Sequence, residues 1–143
     1  MRGAIALLAV LAGLIGGPAT ADEAMEPKTH AIRQTAPWGG AAVRQYHLIM
    51  PPNVAADEYV PAVMLLHEAG DDALAAVYRH GWLPTAVSAR FAILAPEAGP
   101  QAKGKAVSGF YNARIWNAGA DTAATWDDTA FLEAVLADAL ARE

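Results

Sequence analysis

Ala62-Val63-Met64-Leu65-Leu66-His67-Glu68-Ala69-Gly70-Asp71-Asp72 and, further along, Phe91-Ala92-Ile93-Leu94-Ala95-Pro96 are the two stretches that decide the fold class. Each carries a continuous apolar run with no polar alternation. Such runs suit inner parallel strands covered on both faces. Between them helical spacing begins at Ala73, with Leu74, Val77 and Tyr78 on one stripe and Gly81 as the stop. Pro84 stands where a second helical segment can start and run through Val87 to Arg90. Strand, helix and strand within about thirty residues make a βαβ unit, whose crossover is right-handed. The expected class is therefore α/β.

Outward from this unit, the upstream sequence reads as a hairpin. Thr29 to Ala36 alternates weakly, Pro37-Trp38-Gly39-Gly40 is a turn, and Ala41 to Met50 is a second strand. In that strand Val43, Gln45, His47 and Ile49 alternate with Arg44, Tyr46, Leu48 and Met50, which predicts one partly wet face. Pro51-Pro52-Asn53 ends it, and Ala55 to Tyr59 is loop. Downstream, Glu97 to Ala124 is a long loop rich in Gly, Ala and Asn, with Tyr111, Trp116 and Trp126 on or beside it. Loops of that length in a small domain tend to be functional or disordered. Thr125-Trp126-Asp127-Asp128 then opens a last helix with acids in its first turn. Its expected apolar face is Phe131, Leu132, Val135, Leu136 and Leu140, with Glu133, Asp138 and Arg142 in water.

The first residues read as an export signal. Met1-Arg2 is a positive start, Ala4 to Ile15 is apolar, Gly16-Gly17-Pro18 breaks the run, and Ala19-Thr20-Ala21 is a small-x-small cleavage site. The run is too short for a stable span of a ~30 Å hydrocarbon core. A secreted or periplasmic protein beginning at Asp22, polar and fraying as far as Lys28, is expected, with no membrane partner once the signal is removed. The whole chain has 143 residues, enough for one small domain. It is 55% hydrophobic, but 35 residues are Ala, so the large side chains for a core are fewer than that fraction implies. The net charge of -5 gives no counterion-release drive toward phosphate backbones, which argues against a nucleic-acid partner. With no Cys, disulfides, thiolate metal sites and a cysteine nucleophile are excluded.

Chemistry concentrates where the first apolar run meets its turn. Carboxyl ends of parallel strands form the ligand crevice of α/β enzymes. There the N–H groups of Glu68 or Ala69 are placed to stabilise an oxyanion, with His67 orienting the loop; the alternative is a strand-end His bonded only to its own turn. Glu68 is a general base if a closed apolar site raises its pKa, and otherwise a solvated or capping acid. Asp71-Asp72 and Asp127-Asp128 fall at helix starts, where capping accounts for them. His30, His47, His67 and His80 lack metal-ligand spacing, so no metal and no cofactor are assigned. Trp116-Asn117 either lines a ligand pocket or closes its loop over the core. The two serines, Ser88 mid-helix and Ser108 in the loop, both lie outside any Gly-x-Ser-x-Gly turn, so no Ser-His-acid trio is visible.

Four segments together resemble a known family: Leu65-Leu66-His67-Glu68-Ala69-Gly70, Phe91 to Pro96, Trp116-Asn117-Ala118-Gly119, and Asp127-Asp128-Thr129-Ala130-Phe131-Leu132-Glu133-Ala134-Val135-Leu136. They look like the first half of an exported polyhydroxybutyrate depolymerase, in a family that includes feruloyl- and acetylxylan-esterase-like members of the α/β-hydrolase fold. The similarity runs from about Val43 to Glu143. It implies an incomplete α/β-hydrolase fold over 41–143, behind a signal at 1–21 and a mobile segment with first strand and turn at 22–40. His67, Glu68 and Ala69 correspond to the oxyanion loop, and Trp116 and Asn117 to a substrate-pocket wall. Glu68 replaces the family's usual Gly, and a His-Glu pair there is similar to the dienelactone hydrolases.

In the family the next strand leads to the nucleophile elbow, with the acid and the His beyond, so no catalytic residue is expected within this chain. The Ala62–Leu66 strand would then be flanked by a missing fifth strand, leaving an apolar edge that invites pairing with another chain. Ester hydrolysis needs accelerations of ~10⁶-fold or more, whereas a site stripped of its triad keeps roughly 10³–10⁴-fold. The expected reading is the N-terminal part of a secreted carboxylic-ester hydrolase acting on polyester or aryl or acyl esters, inactive alone. A non-catalytic exported module holding a sugar or aromatic at Trp116, and a split enzyme completed by a separate C-terminal chain, are the alternatives. N-terminal sequencing of the exported protein is expected to start at Asp22; a start at Met1 would show that the signal is not cleaved.

Overall fold

The computed structural model describes residues 25–99, 114–117 and 126–142. Within them the chain runs β1 (Lys28–Thr35), β2 (Ala41–Ile49), β3 (Ala62–Met64), α1 (Ala73–Arg79), α2 (Trp82–Ala89), β4 (Ala92–Pro96) and α3 (Asp128–Leu140). The four strands form one mixed sheet in the order β1-β2-β4-β3. It is a small α/β domain, with an antiparallel hairpin at one side and a parallel β3/β4 pair at the other. The export signal and residues 100–113 and 118–125, which include Ser108, Tyr111 and Gly119, lie outside the described residues. Among the described residues no helix is long and apolar enough to cross a membrane.

The hairpin forms where the sequence predicts it. Lys28 pairs with Leu48 and Thr35 with Ala41. The turn between them uses Gly39 at φ 87° and Gly40 at φ 82°, a left-handed backbone that side chains disfavour. Because successive side chains alternate across a sheet, cross-strand partners share a face. His30, Tyr46, Ile32 and Arg44 therefore face α3, whereas Thr29, His47 and Ile49 face α1 and α2. The two cores follow that division. Ile49, Ile93, Ala73, Val77, Leu83 and Ala86 form one. Tyr46, Leu48, Leu94, Phe131, Val135 and Ala139 form the other.

The expectation for the first apolar run is corrected. The Ala62–Leu66 run is not an inner strand covered on both faces: β3 spans only Ala62–Met64 and stands at the sheet edge. Ala62 is exposed and Val63 and Met64 are half-buried. The ladder continues one step through Leu65 N–H to the Leu94 carbonyl at 2.8 Å, and Leu66 is 44% exposed. The second run is the central one, since β4 lies between β2 and β3 with every residue buried. On β2 one face is partly wet, as the alternation predicts, with Val43 and Gln45 exposed and Arg44 and Tyr46 buried.

The last helix also packs differently. Phe131, Val135 and Ala139 are its buried stripe, at the i, i+4, i+8 spacing of one helix face, while Leu136 and Leu140 are exposed. Asp138 does not simply face water, because it accepts the Tyr46 hydroxyl at 2.7 Å as well as Arg142. On α1, Tyr78 is more than half exposed, and Ala73, Ala76 and Val77 make the contact instead.

Helix starts follow the sequence closely. Asp72 caps α1 through Ala75 N–H at 2.8 Å, and Asp127 caps α3 through Ala130 N–H at 2.9 Å. Pro84 lies in the first turn of α2, where a missing N–H breaks no helical bond. Gly81 begins that helix at φ 66°.

Tyr46 is fully buried, and burial, aided by the bond to Asp138, pushes its hydroxyl up to about 12 from an ordinary 10.0. The folded state therefore holds this proton more tightly than the unfolded chain. The resulting stability is present below about pH 10 and is lost as pH rises toward 12, by roughly 3 kcal/mol at most. Tyr46→Phe is expected to cost about 1 kcal/mol at neutral pH and to flatten that alkaline decline. Urea unfolding of both proteins across the alkaline range checks it, and parallel declines would show that Tyr46 is not the titrating group.

Candidate functional site

The carboxyl ends of the parallel pair β3 and β4 bring His67 and Glu97 together. His67 follows β3 and is 3% exposed; Glu97 follows β4 directly and is 7% exposed. Ala98 N–H donates to His67 Nε2 at 3.0 Å, so this nitrogen is an acceptor. The ring hydrogen is thereby assigned to Nδ1, which donates to the Glu68 carbonyl at 2.8 Å. The Trp116 indole N–H donates to the His67 carbonyl at 3.0 Å, and its ring lies 5.4 Å from the imidazole. The turn is closed by Gly70 N–H to the Arg114 carbonyl at 3.1 Å and by Asp71 N–H to the Glu68 carbonyl at 3.1 Å. His67 therefore holds the loop after β3 against the loop after β4.

Glu97 is the anionic centre of this end of the sheet. One carboxylate oxygen accepts Ala73 N–H at 3.0 Å, tying β4 to the first residue of α1. The other pairs with Arg114 at 2.6 Å and stands 3.6 Å from His67 Nε2. His47 Nε2 lies 4.0 Å away, and burial lowers the pKa of this ring against the opposing pull of Glu97. Val43, Arg44, Gln45, Glu97, Ala98 and Arg114 line an open hollow of about 250 Å³ beside these groups.

Behind it lies a second buried pair. Arg44 contacts Asp128 at 2.6 Å, with both side chains almost wholly buried. Its guanidinium also donates to the Glu97 carbonyl at 3.0 Å and to Gln34 Oε1 at 3.2 Å. It lies 3.6 Å from the Phe131 ring centre and 5.3 and 5.6 Å from those of Trp126 and Trp116. Burial pulls the Arg44 pKa below its usual value, and Asp128 opposes that shift. The other Asp128 oxygen accepts Asn117 N–H, and the Asn117 amide donates to the Trp126 carbonyl at 3.2 Å. Gly99 packs so closely under the Trp126 indole that a Cβ there would collide with the ring.

The residues singled out from sequence divide accordingly. His67, Trp116 and Asn117 meet in one hydrogen-bonded assembly. Glu68 and Ala69 occupy the same turn, but the Glu68 side chain is 74% exposed, 3.9 Å from His80. The carboxyl is therefore not enclosed in an apolar site. Asp71 pairs with Arg79 at 2.6 Å rather than serving as a cap. Ser88 donates to the Thr85 carbonyl at 3.1 Å on an exposed helix face, away from any imidazole. Among the described residues no cluster of His, Asp and Glu could hold a metal ion.

Arg44, Glu97 and Asp128 were missed by sequence reasoning. The signal for Arg44 was its in-phase position with Tyr46 and Leu48; for Glu97 it was adjacency to the Pro that ends the central strand. No known family model matches this chain, and no curated protein matches it either.

Removing one partner of a buried pair leaves an uncompensated charge and costs about 3–5 kcal/mol. Arg44→Met should therefore destabilise strongly, and Arg44→Met with Asp128→Leu should be milder than Arg44→Met alone. Chemical denaturation of both variants measures this; additive losses would mean that the pair is not a coupled unit.

Proposed function

We propose that this chain forms part of the scaffold of a secreted carboxylic-ester hydrolase, similar to the polyhydroxybutyrate depolymerases, with the turn His67–Ala69 as its oxyanion loop. The observation that carries this reading is the locked loop after β3. Buried His67 is fixed on Nδ1, on Nε2 and on its carbonyl, so the backbone that follows is held in place. Among the described residues nothing engages the N–H groups of Glu68 and Ala69. Preorganised N–H groups at the carboxyl end of a parallel strand are what stabilisation of a tetrahedral oxyanion requires, and one such donor is worth roughly 10²–10³-fold in rate.

Two further features support it. The resemblance puts the Ala62 strand beside a fifth strand, and β3 stands at the sheet edge with that side open among the described residues. It also makes Trp116-Asn117 a pocket wall, and these residues brace the oxyanion loop through His67 and the helix start through Asp128. An incomplete α/β-hydrolase fold is the corresponding architecture. The exposed Glu68 carboxyl favours the depolymerase-like over the dienelactone-hydrolase-like form, since an exposed acid is poorly placed to work beside a nucleophile.

The hydrolytic serine must come from a Gly-x-Ser-x-Gly turn that the 143 residues do not contain. The purified chain is expected to show no turnover of chromogenic short-acyl esters. A search of the adjacent coding region, in every frame, for that turn tests the reading. Hydrolysis by this chain that is blocked by a serine-reactive phosphonate, or a downstream region without the turn, would overturn the reading.

A further inference from the structure

On the α3 side of the hairpin the helix layer stops before the sheet does. Lys28 pairs with Leu48 and His30 with Tyr46, so these side chains share that face, and Met50 extends it by strand alternation. α3 ends at Leu140, short of this end of the strands. The gap is a cavity of about 740 Å³, walled by Leu48, Met50, Pro51 and Val54 and edged by Lys28 and His30. Its volume falls in the ~300–1,000 Å³ range of small-molecule sites, and its apolar wall with a few polar groups has their usual character. It lies at the amino end of β4, where Ile49 pairs with Ile93, opposite the end that carries His67 and Glu97.

The charges at its rim are not equivalent. Arg142 is held by Asp138 at 2.7 and 3.1 Å, and Glu58 is held by Arg90 at 2.6 Å. Lys28 has no ion-pair partner among the described residues, so it is the uncompensated cation of the lining. His30 adds a buried ring nitrogen, Nε2, that has no hydrogen-bond partner. Nε2 is closed to solvent as the ring stands, so a ligand oxygen meets it only when the ring turns toward the cavity; because a buried polar atom without a partner costs about 1–3 kcal/mol, that turn is favoured once the ligand is bound.

We propose that this cavity binds a small amphipathic carboxylate, with its headgroup at Lys28 and His30 and its hydrocarbon chain along Leu48, Met50, Pro51 and Val54. The site is independent of the ester-hydrolase reading and shares no residue with it. The ammonium supplies charge complementarity, and the apolar wall supplies the burial that a simple anion such as acetate cannot use.

Octanoate is the probe, titrated calorimetrically into the full chain, with 1-octanol and acetate as its uncharged and chainless counterparts. Saturable binding of one octanoate is expected, with both counterparts weaker by about tenfold or more. Lys28→Met should weaken octanoate about tenfold and leave octanol unchanged, whereas Val54→Trp should fill the cavity and abolish both. Amide resonances of the unaltered protein report the location without any substitution: shifts confined to the neighbourhood of Leu48, Met50 and Val54 support the site. The absence of saturation at millimolar octanoate, equal affinity for octanol, or shifts centred elsewhere would overturn it.

Discussion

The buried contact between Arg44 and Asp128 is the constraint on which the rest of the structure depends. It joins the hairpin to the first turn of the last helix, and through the Glu97 carbonyl it reaches the end of the central strand. Taking both charges out of water is costly, and their mutual attraction alone need not repay it. Here the two terminal nitrogens of the guanidinium also donate to Gln34 and to the Glu97 carbonyl, and its flat face lies against Phe131, while the buried Nε has no hydrogen-bond partner. Lysine could not reproduce that arrangement. A point charge on a flexible stem has neither the fork for two acceptors nor the plane for an aromatic ring.

From this pair polar contacts run without a break to the loop after β3. Asp128 accepts from Asn117, the neighbouring Trp116 donates to His67, and His67 accepts from Ala98 next to Glu97. The contacts span 11, 49 and 31 residues of sequence. A loop fixed this way suits preorganised catalysis, where donors must not reorganise as charge develops. That is why the ester-hydrolase reading rests on backbone groups here rather than on the exposed Glu68 carboxyl.

Much of the fold was legible because its signals are local. The glycine turn, the buried run at Ala92–Pro96 and the caps at Asp72 and Asp127 each depend on a few adjacent residues. What failed depends on long-range packing. Hydropathy ranks Val43 above Arg44 for burial, yet Arg44 faces the helix that covers this end of the sheet, and Val43 faces the side where α1 and α2 do not reach. The two apolar runs looked alike, and only the sheet order made one central and the other marginal. The site was half legible: His67, Trp116 and Asn117 stood out by type and place, whereas Glu97 and Asp128 looked like ordinary acids at element ends.

The brevity of β3 has its own consequence. Three residues at about 3.3 Å each present roughly 10 Å of backbone template, with Pro61 immediately before it. An added strand would find too few amide positions there to be held, or aligned, by main-chain bonding alone. Discrimination between right and wrong neighbours along this margin would fall to the side chains of Val63, Met64 and Leu66, which makes the margin selective where a longer ribbon would be indiscriminate.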